Sequence, residues 1–252
     1  MDAIFITGTA GSGKSLLALR LQEFQKGNGL FSIILNLDPG AVKLPYEPDV
    51  DVRDYVSIES IMDTYDLGPN GSLLMASDII ATKLGEIQNE IDNLNPDSVI
   101  VDTAGQIELF AFRASGIYFV SNFQVDNRAM IFTLDGMLVS SPMNYVSILL
   151  LASSIRLRLK TSQVNVLTKR DLIVEKLESI LKWSTSTAAL ESALAMEKDA
   201  ESSLLAKDLL RAMATSGLTE EVIAVSSLTT SGMVNLNASL ARILRLGEDT
   251  GV

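Results

Sequence analysis

Short apolar runs alternate along the chain with longer segments in which apolar residues recur at helical spacing. The runs predict strands over Ala3–Thr7, Ser32–Asn36, Ser98–Asp102, Ala129–Leu134, Gln163–Leu167 and Glu221–Val225. The longer segments predict helices over Lys14–Lys26, Ser72–Asn93, Glu108–Asn122, Pro142–Leu159 and Ser231–Leu246. This alternation is the pattern of an α/β protein with a mostly parallel central sheet flanked by helices.

Two segments break the rhythm. Asp38–Tyr55 carries Pro39, Pro45 and Pro48 among several acids and reads as a long loop after the second strand, of the functional or mobile kind. Leu172–Ala214, rich in Ala, Ser, Leu and Glu, reads as helices inserted between the last two strands, either an amphipathic pair packed on the sheet edge or a lid or partner surface. With no internal repeat and no long linker, residues 1–252 are expected to form one domain with a helical insertion over about 172–214.

The strongest local signal is Gly8-Thr9-Ala10-Gly11-Ser12-Gly13-Lys14-Ser15, which fits the phosphate-loop pattern. It follows an apolar strand and opens a helix, which is where such a loop must lie. Its glycines let successive N–H groups turn inward, and the helix N-terminus adds positive dipole. Gly8, Ala10, Gly11, Ser12, Gly13, Lys14, Ser15 and Leu16 are therefore expected at the phosphates. Lys14 would reach the β and γ groups, and the Ser15 hydroxyl would sit on Mg2+.

Downstream, a strand delivers Asp102 and turns at Gly105 within Asp102-Thr103-Ala104-Gly105-Gln106. Asp102 can hold the magnesium shell, the Gly105 N–H can sense a γ-phosphate, and Gln106 can orient an attacking water. These residues resemble the phosphate-loop GTPases, so the expected architecture is a three-layer phosphate-loop NTPase fold. Asp38, in Leu37-Asp38-Pro39-Gly40, matches the place of a second acid near the metal in related NTPases; an Asx-turn before Pro39 is the alternative.

Thr168-Lys169-Arg170-Asp171 is similar to the base-reading motif Asn-Lys-x-Asp of those GTPases. The two oxygens of Asp171 can accept the N1–H and N2 donors of guanine, whereas adenine has no N1 donor and would leave a carboxylate unpaired. Lys169 would lay its stem along the base. Thr168 departs from the motif and lacks the carboxamide that Asn would offer. Ser226 and Ser227 resemble the loop that closes over the base.

The composition removes other chemistries. With no His and no Cys there is no imidazole or thiolate ligand, no disulfide and no Ser-His-Asp triad, so a metal must sit on oxygen. A net charge of −11 without a Lys or Arg run argues against direct nucleic-acid binding. The start Met1-Asp2-Ala3-Ile4 lacks a basic secretory leader, and stretches such as Ile148–Ala152 are too short to span a bilayer, so the expected address is cytoplasmic, with no membrane partner.

Gly68-Pro69-Asn70 lies between the second-strand loop and a long helix, and on composition alone it is a turn with Ser72 capping that helix. In order with the phosphate loop, Asp38, Asp102-Thr103-Ala104-Gly105-Gln106 and Thr168-Lys169-Arg170-Asp171, it makes the chain resemble the GPN-loop GTPases. The resemblance implies an insertion over about 57–75, a homodimer in which each loop reaches the partner's nucleotide site, and an Asn70 carboxamide contacting phosphate across the interface. It further implies GTP as substrate, GDP as product, catalytic roles for Lys14, Asn70, Asp102 and Gln106 with Glu108 assisting, and RNA polymerase assembly as a destination. The competing expectations are a phosphate-loop ATPase or small-molecule kinase, and a GTP-binding scaffold with negligible hydrolysis.

Overall fold

The structure, a computed structural model, describes residues 1–218 and 221–248. Its elements run β1 (Asp2–Gly8), α1 (Lys14–Gly27), β2 (Ser32–Leu37), β3 (Val50–Asp51), α2 (Ile58–Tyr65), α3 (Pro69–Thr82), α4 (Leu84–Leu94) and β4 (Ser98–Thr103). They continue with α5 (Ile107–Phe110), α6 (Ala114–Asn122), β5 (Asn127–Asp135), α7 (Pro142–Leu159), β6 (Ser162–Thr168), α8 (Val174–Thr185), α9 (Thr187–Leu194), α10 (Ala200–Thr215), β7 (Val222–Ala224) and α11 (Met233–Glu248). The strands form one seven-stranded sheet in the order β3-β2-β4-β1-β5-β6-β7, and each ladder among them is parallel.

A parallel sheet needs both faces covered, and the pleat of β1 divides its side chains accordingly. Ala3 and Phe5 face a layer that includes Ile80 of α3, Ile87 and Ile91 of α4, Phe119 of α6 and Ile155 of α7. Ile4 and Ile6 face Leu17 and Leu21 of α1 and Leu236 and Leu240 of α11. Each fully buried side chain of this size contributes about 1.5–3 kcal/mol, so the two layers together hold the sheet. Among the described residues no helix is long and apolar enough to cross a membrane.

Several boundaries differ from the expectations. The segment after β2 is not loop throughout: it returns to the sheet as β3, pairing Val50 with Leu35, and then makes a short 3-10 turn over Val52–Asp54. The helix expected over Ser72–Asn93 is two, broken at Lys83, whose N–H is shared between Ile79 O and Ile80 O. The break lets α3 pack beside α6 while α4 packs beside β3. The helix expected over Glu108–Asn122 is likewise split into α5 and α6, with the carbonyls of Ala111 and Phe112 accepting from Arg158. Gly68-Pro69-Asn70 is not a free turn but the start of α3, with Gly68 as N-cap and Pro69 in the first turn, where its missing N–H costs nothing. Ser72 does not cap; its hydroxyl donates to Gly68 O at 3.1 Å. The insertion before β7 is three helices rather than a pair, and Trp183 of α8 meets Tyr145 of α7 edge to face.

Candidate functional site

Because the strands are parallel, their C-terminal ends open on one edge of the sheet, and the chain leaves β1 between β4 and β5. That crevice is where open α/β sheets take ligands. Gly8 ends β1 opposite Thr133, at a φ of 147°, and a Cβ there would lie 2.0 Å from Thr133 Oγ1, so only glycine fits. Gly13 caps α1 in the left-handed region at φ 90°. The loop between is tied down by Ser12 Oγ, which shares a 2.6 Å hydrogen bond with Thr133 Oγ1. Ala10 is exposed and Leu16 half-buried.

Lys14 is buried, and its ammonium donates to Gly8 O at 3.1 Å and Thr9 O at 2.9 Å. Burial pushes its pKa down, against the opposing pull of Asp102 and Asp38. Asp102, only 2% exposed, is pressed the other way: burial raises its pKa although Tyr46, Ser15 and Lys14 favour the carboxylate. Its Oδ2 accepts from the Tyr46 hydroxyl at 2.6 Å, while its Oδ1 is buried with no hydrogen-bond partner among the described residues.

Among the described residues no cluster of three acids gathers to hold a metal. What the site offers is the Ser15 hydroxyl beside an unpartnered carboxylate oxygen, with Asp38 close enough to act on both Lys14 and Asp102. That sparse all-oxygen set fits magnesium, which keeps waters and shares substrate phosphates rather than filling a protein cage.

Asp38 itself bridges two segments. Its Oδ1 accepts from Gly40 N at 2.9 Å, the anticipated Asx-turn, and its Oδ2 accepts from Gly105 N at 3.1 Å. The Gly105 N–H expected to face a γ-phosphate is thus turned to a carboxylate of the same chain. Gln106 is exposed at the N-cap of α5, and Glu108 is exposed in that helix's first turn, where an acid suits the dipole. Asn70 is exposed in the first turn of α3, and a Cβ on Gly40 would lie 2.7 Å from Leu73 Cδ2, so this helix leans on the Asp38–Gly40 turn.

The end of the site expected to read the base forms where β5 and β6 pair Asp135 with Thr168. Thr168 Oγ1 lies 2.7 Å from Ser12 O and 3.1 Å from Leu134 O, so the departure from Asn keeps a direct link to the phosphate loop. Lys169 sits at φ 56° and pairs with Asp135 Oδ2 at 2.7 Å, which fixes the direction of its stem. Asp171 lies half-buried in the 3-10 turn that follows. Alongside run Ser226, buried, and Ser227, whose carbonyl accepts from Arg20 Nε at 2.9 Å, while Arg170 N reaches Val225 O.

Tyr46, Thr133 and Asp135 were not anticipated. Asp135 had a signal, since Leu134-Asp135 ends an apolar strand just before a glycine, as Leu37-Asp38 does with Pro39 intervening. Tyr46, between two prolines, had none.

A family model described as a conserved hypothetical ATP binding protein matches residues 6–245. The chain is 29% identical over 202 residues to GPN-loop GTPase 1 of Saccharomyces cerevisiae, covering 79% of this chain and 52% of that protein. It is 35% identical over 179 residues to GPN-loop GTPase PAB0955 of Pyrococcus abyssi, covering 70% of each. The crystal structure of that archaeal GTPase in its apo form superposes with a TM-score of 0.84 at 30% identity, covering 96% of this chain and 97% of the other. The chain spans about half the length of the eukaryotic GPN-loop GTPase 1 relatives it matches.

Proposed function

We propose, because this chain belongs to the GPN-loop GTPase family, that it binds guanine nucleotide with magnesium and hydrolyses GTP to GDP and phosphate. The observation that carries this reading is the 2.7 Å contact between Thr168 Oγ1 and Ser12 O, which joins a base-reading turn to a phosphate loop across one sheet edge.

The phosphate-loop N–H groups would cradle the polyphosphate, and Lys14 would exchange its carbonyl partners for phosphate oxygens, which offsets the desolvation that burial imposes on it. Ser15 and Asp102, with Asp38, would hold magnesium, which when bound neutralises charge on the phosphates. Gln106 would orient the water, with Glu108 assisting. For the Gly105 N–H to meet a γ-phosphate, Asp38 must release it, so ligand binding would be coupled to movement of the segment after β2. We place Asn70, exposed at the start of α3, across a homodimer interface at the partner's phosphates, where a neutral donor stabilises developing charge. A dimer switching shape with nucleotide state, in service of assembling a larger complex such as an RNA polymerase, belongs to the same proposal.

A second reading follows from the family model's own description as ATP binding. A competition titration of GTP, GDP and ATP with magnesium on the wild-type chain and on Asp171→Asn separates the two. A guanine preference that collapses in the variant supports the first. Equal affinity for ATP and GTP overturns it.

A further inference from the structure

We propose that Tyr46 is a positioning residue for Asp102, holding one carboxylate oxygen so that the other stays presented to a divalent cation. The inference rests on the reading above that Ser15 and Asp102 hold magnesium.

A carboxylate can rotate about its terminal torsion between equivalent orientations, and a buried one with no fixed partner does so at a cost paid when a metal binds. Here the rotation is stopped. The Tyr46 hydroxyl donates to Oδ2 at 2.6 Å, and the remaining oxygen, Oδ1, has no hydrogen-bond partner among the described residues.

Tyr46 can do this because its own segment is held at both ends. Asp49 Oδ2 accepts from Ile34 N at 2.7 Å and from Gln22 Nε2 at 2.8 Å, fastening the segment to β2 and α1. Arg53 pairs with Asp51 and donates through Nη1 to Ala41 O at 2.8 Å, closing the segment on itself. The Tyr46 ring packs against the buried cluster that includes Ile34, Ile100 and Leu17, so the phenol enters the site from a fixed direction. Groups that hydrogen-bond a metal's ligands set ligand orientation, and their loss typically costs ~10–100-fold in metal affinity. The coupling is reciprocal: a cation on Oδ1 fixes the carboxylate in the orientation that Tyr46 binds, and so steadies the segment between β2 and β3.

The test is Tyr46→Phe, which removes one hydroxyl and keeps the packed ring. Binding of a fluorescent GDP is titrated with magnesium and repeated in EDTA. The expected result is a magnesium midpoint raised about tenfold, or about 1.4 kcal/mol, with the EDTA affinity unchanged. A mere folding defect would lower both affinities together. An unchanged midpoint overturns the inference, as does a lowered one, which would make Tyr46 a competitor of the cation.

Asp102→Asn serves as the reference. If the wild type binds GDP without regard to magnesium, or Asp102→Asn keeps the wild-type dependence, the magnesium reading itself fails and the inference with it. Wild-type coupling that Tyr46→Phe leaves untouched sinks the Tyr46 assignment alone. Should the variant not fold, amide exchange of residues 38–55 in the wild type decides: slower exchange with magnesium and GDP than with GDP in EDTA is expected, and equal exchange overturns the proposal.

Discussion

Thr168→Val tests whether the base and phosphate halves of the site are one mechanical unit. The residue is 2% exposed, and its hydroxyl lies within reach of two carbonyls, Ser12 O at 2.7 Å and Leu134 O at 3.1 Å. It has only one proton, so it is counted as one buried hydrogen bond, directed mainly at the nearer oxygen. Valine keeps the volume but leaves that acceptor unpaired, which costs about 1–3 kcal/mol. For a chain of this size each kcal/mol lowers the melting temperature by roughly 2–4 °C, so a drop of roughly 2–12 °C is expected.

Trp183, the chain's single tryptophan, packs on Tyr145 of α7 and reports unfolding by fluorescence. Affinity for GDP should fall about tenfold if 1.4 kcal/mol of the link is spent in the bound state. Thr168→Asn should regain affinity, because its carboxamide can donate to Ser12 O, while remaining less stable from overpacking. Melting and GDP affinity both equal to wild type in Thr168→Val would refute the reasoning.

Two further outcomes follow from charge. Asp102 has a folded pKa raised by burial, so its ionised form destabilises the ligand-free protein at neutral pH, a cost relieved only as pH falls through that raised value; Asp102→Asn should therefore melt higher than wild type without nucleotide or metal, and a lower melting point would contradict this. Asp51 is the opposite case: burial works against its charge, but hydrogen bonds from Arg53 and Asn36 outweigh it and hold the pKa down, so its stabilisation is present above about pH 4 and is lost as pH falls through the lowered folded value. The melting difference between wild type and Asp51→Asn should be greatest near neutrality and shrink in acid; a constant difference across that range would exclude the ion pair as its source.

What could be read from the chain was local. The inner strands are apolar on both faces, so Ile4-Phe5-Ile6 and Val99-Ile100-Val101 announced themselves, and the phosphate loop follows its strand within a few residues. β3 is two residues beside three prolines and takes its identity from pairing with Leu35, which no local pattern encodes. The break at Lys83 was hidden because Ile80, Leu84, Ile87 and Ile91 keep helical spacing across it; the two helices part company only where they meet different neighbours. In the site, residues placed by a contiguous motif were legible, whereas Tyr46 and Thr133 reach it through space, 56 residues from Asp102 and 121 from Ser12.

The site's electrostatics explain why a fold would keep so unfavourable an arrangement. Lys14 is pushed toward losing its proton and Asp102 toward gaining one, each by burial, while neither is paired directly with the other. Both shifts cost stability in the ligand-free chain. On the proposed reading, a polyphosphate would give Lys14 a direct anionic partner and a divalent cation would give one to Asp102 Oδ1, so the same ligand pair would relieve both. Free energy withheld from the empty fold is then returned on binding, and stability rises with ligand by mass action. Nucleotide without metal would then relieve only Lys14, and metal without nucleotide only Asp102. On that reading the full relief would come only with both ligands bound, so the doubly liganded protein would be the most stable form.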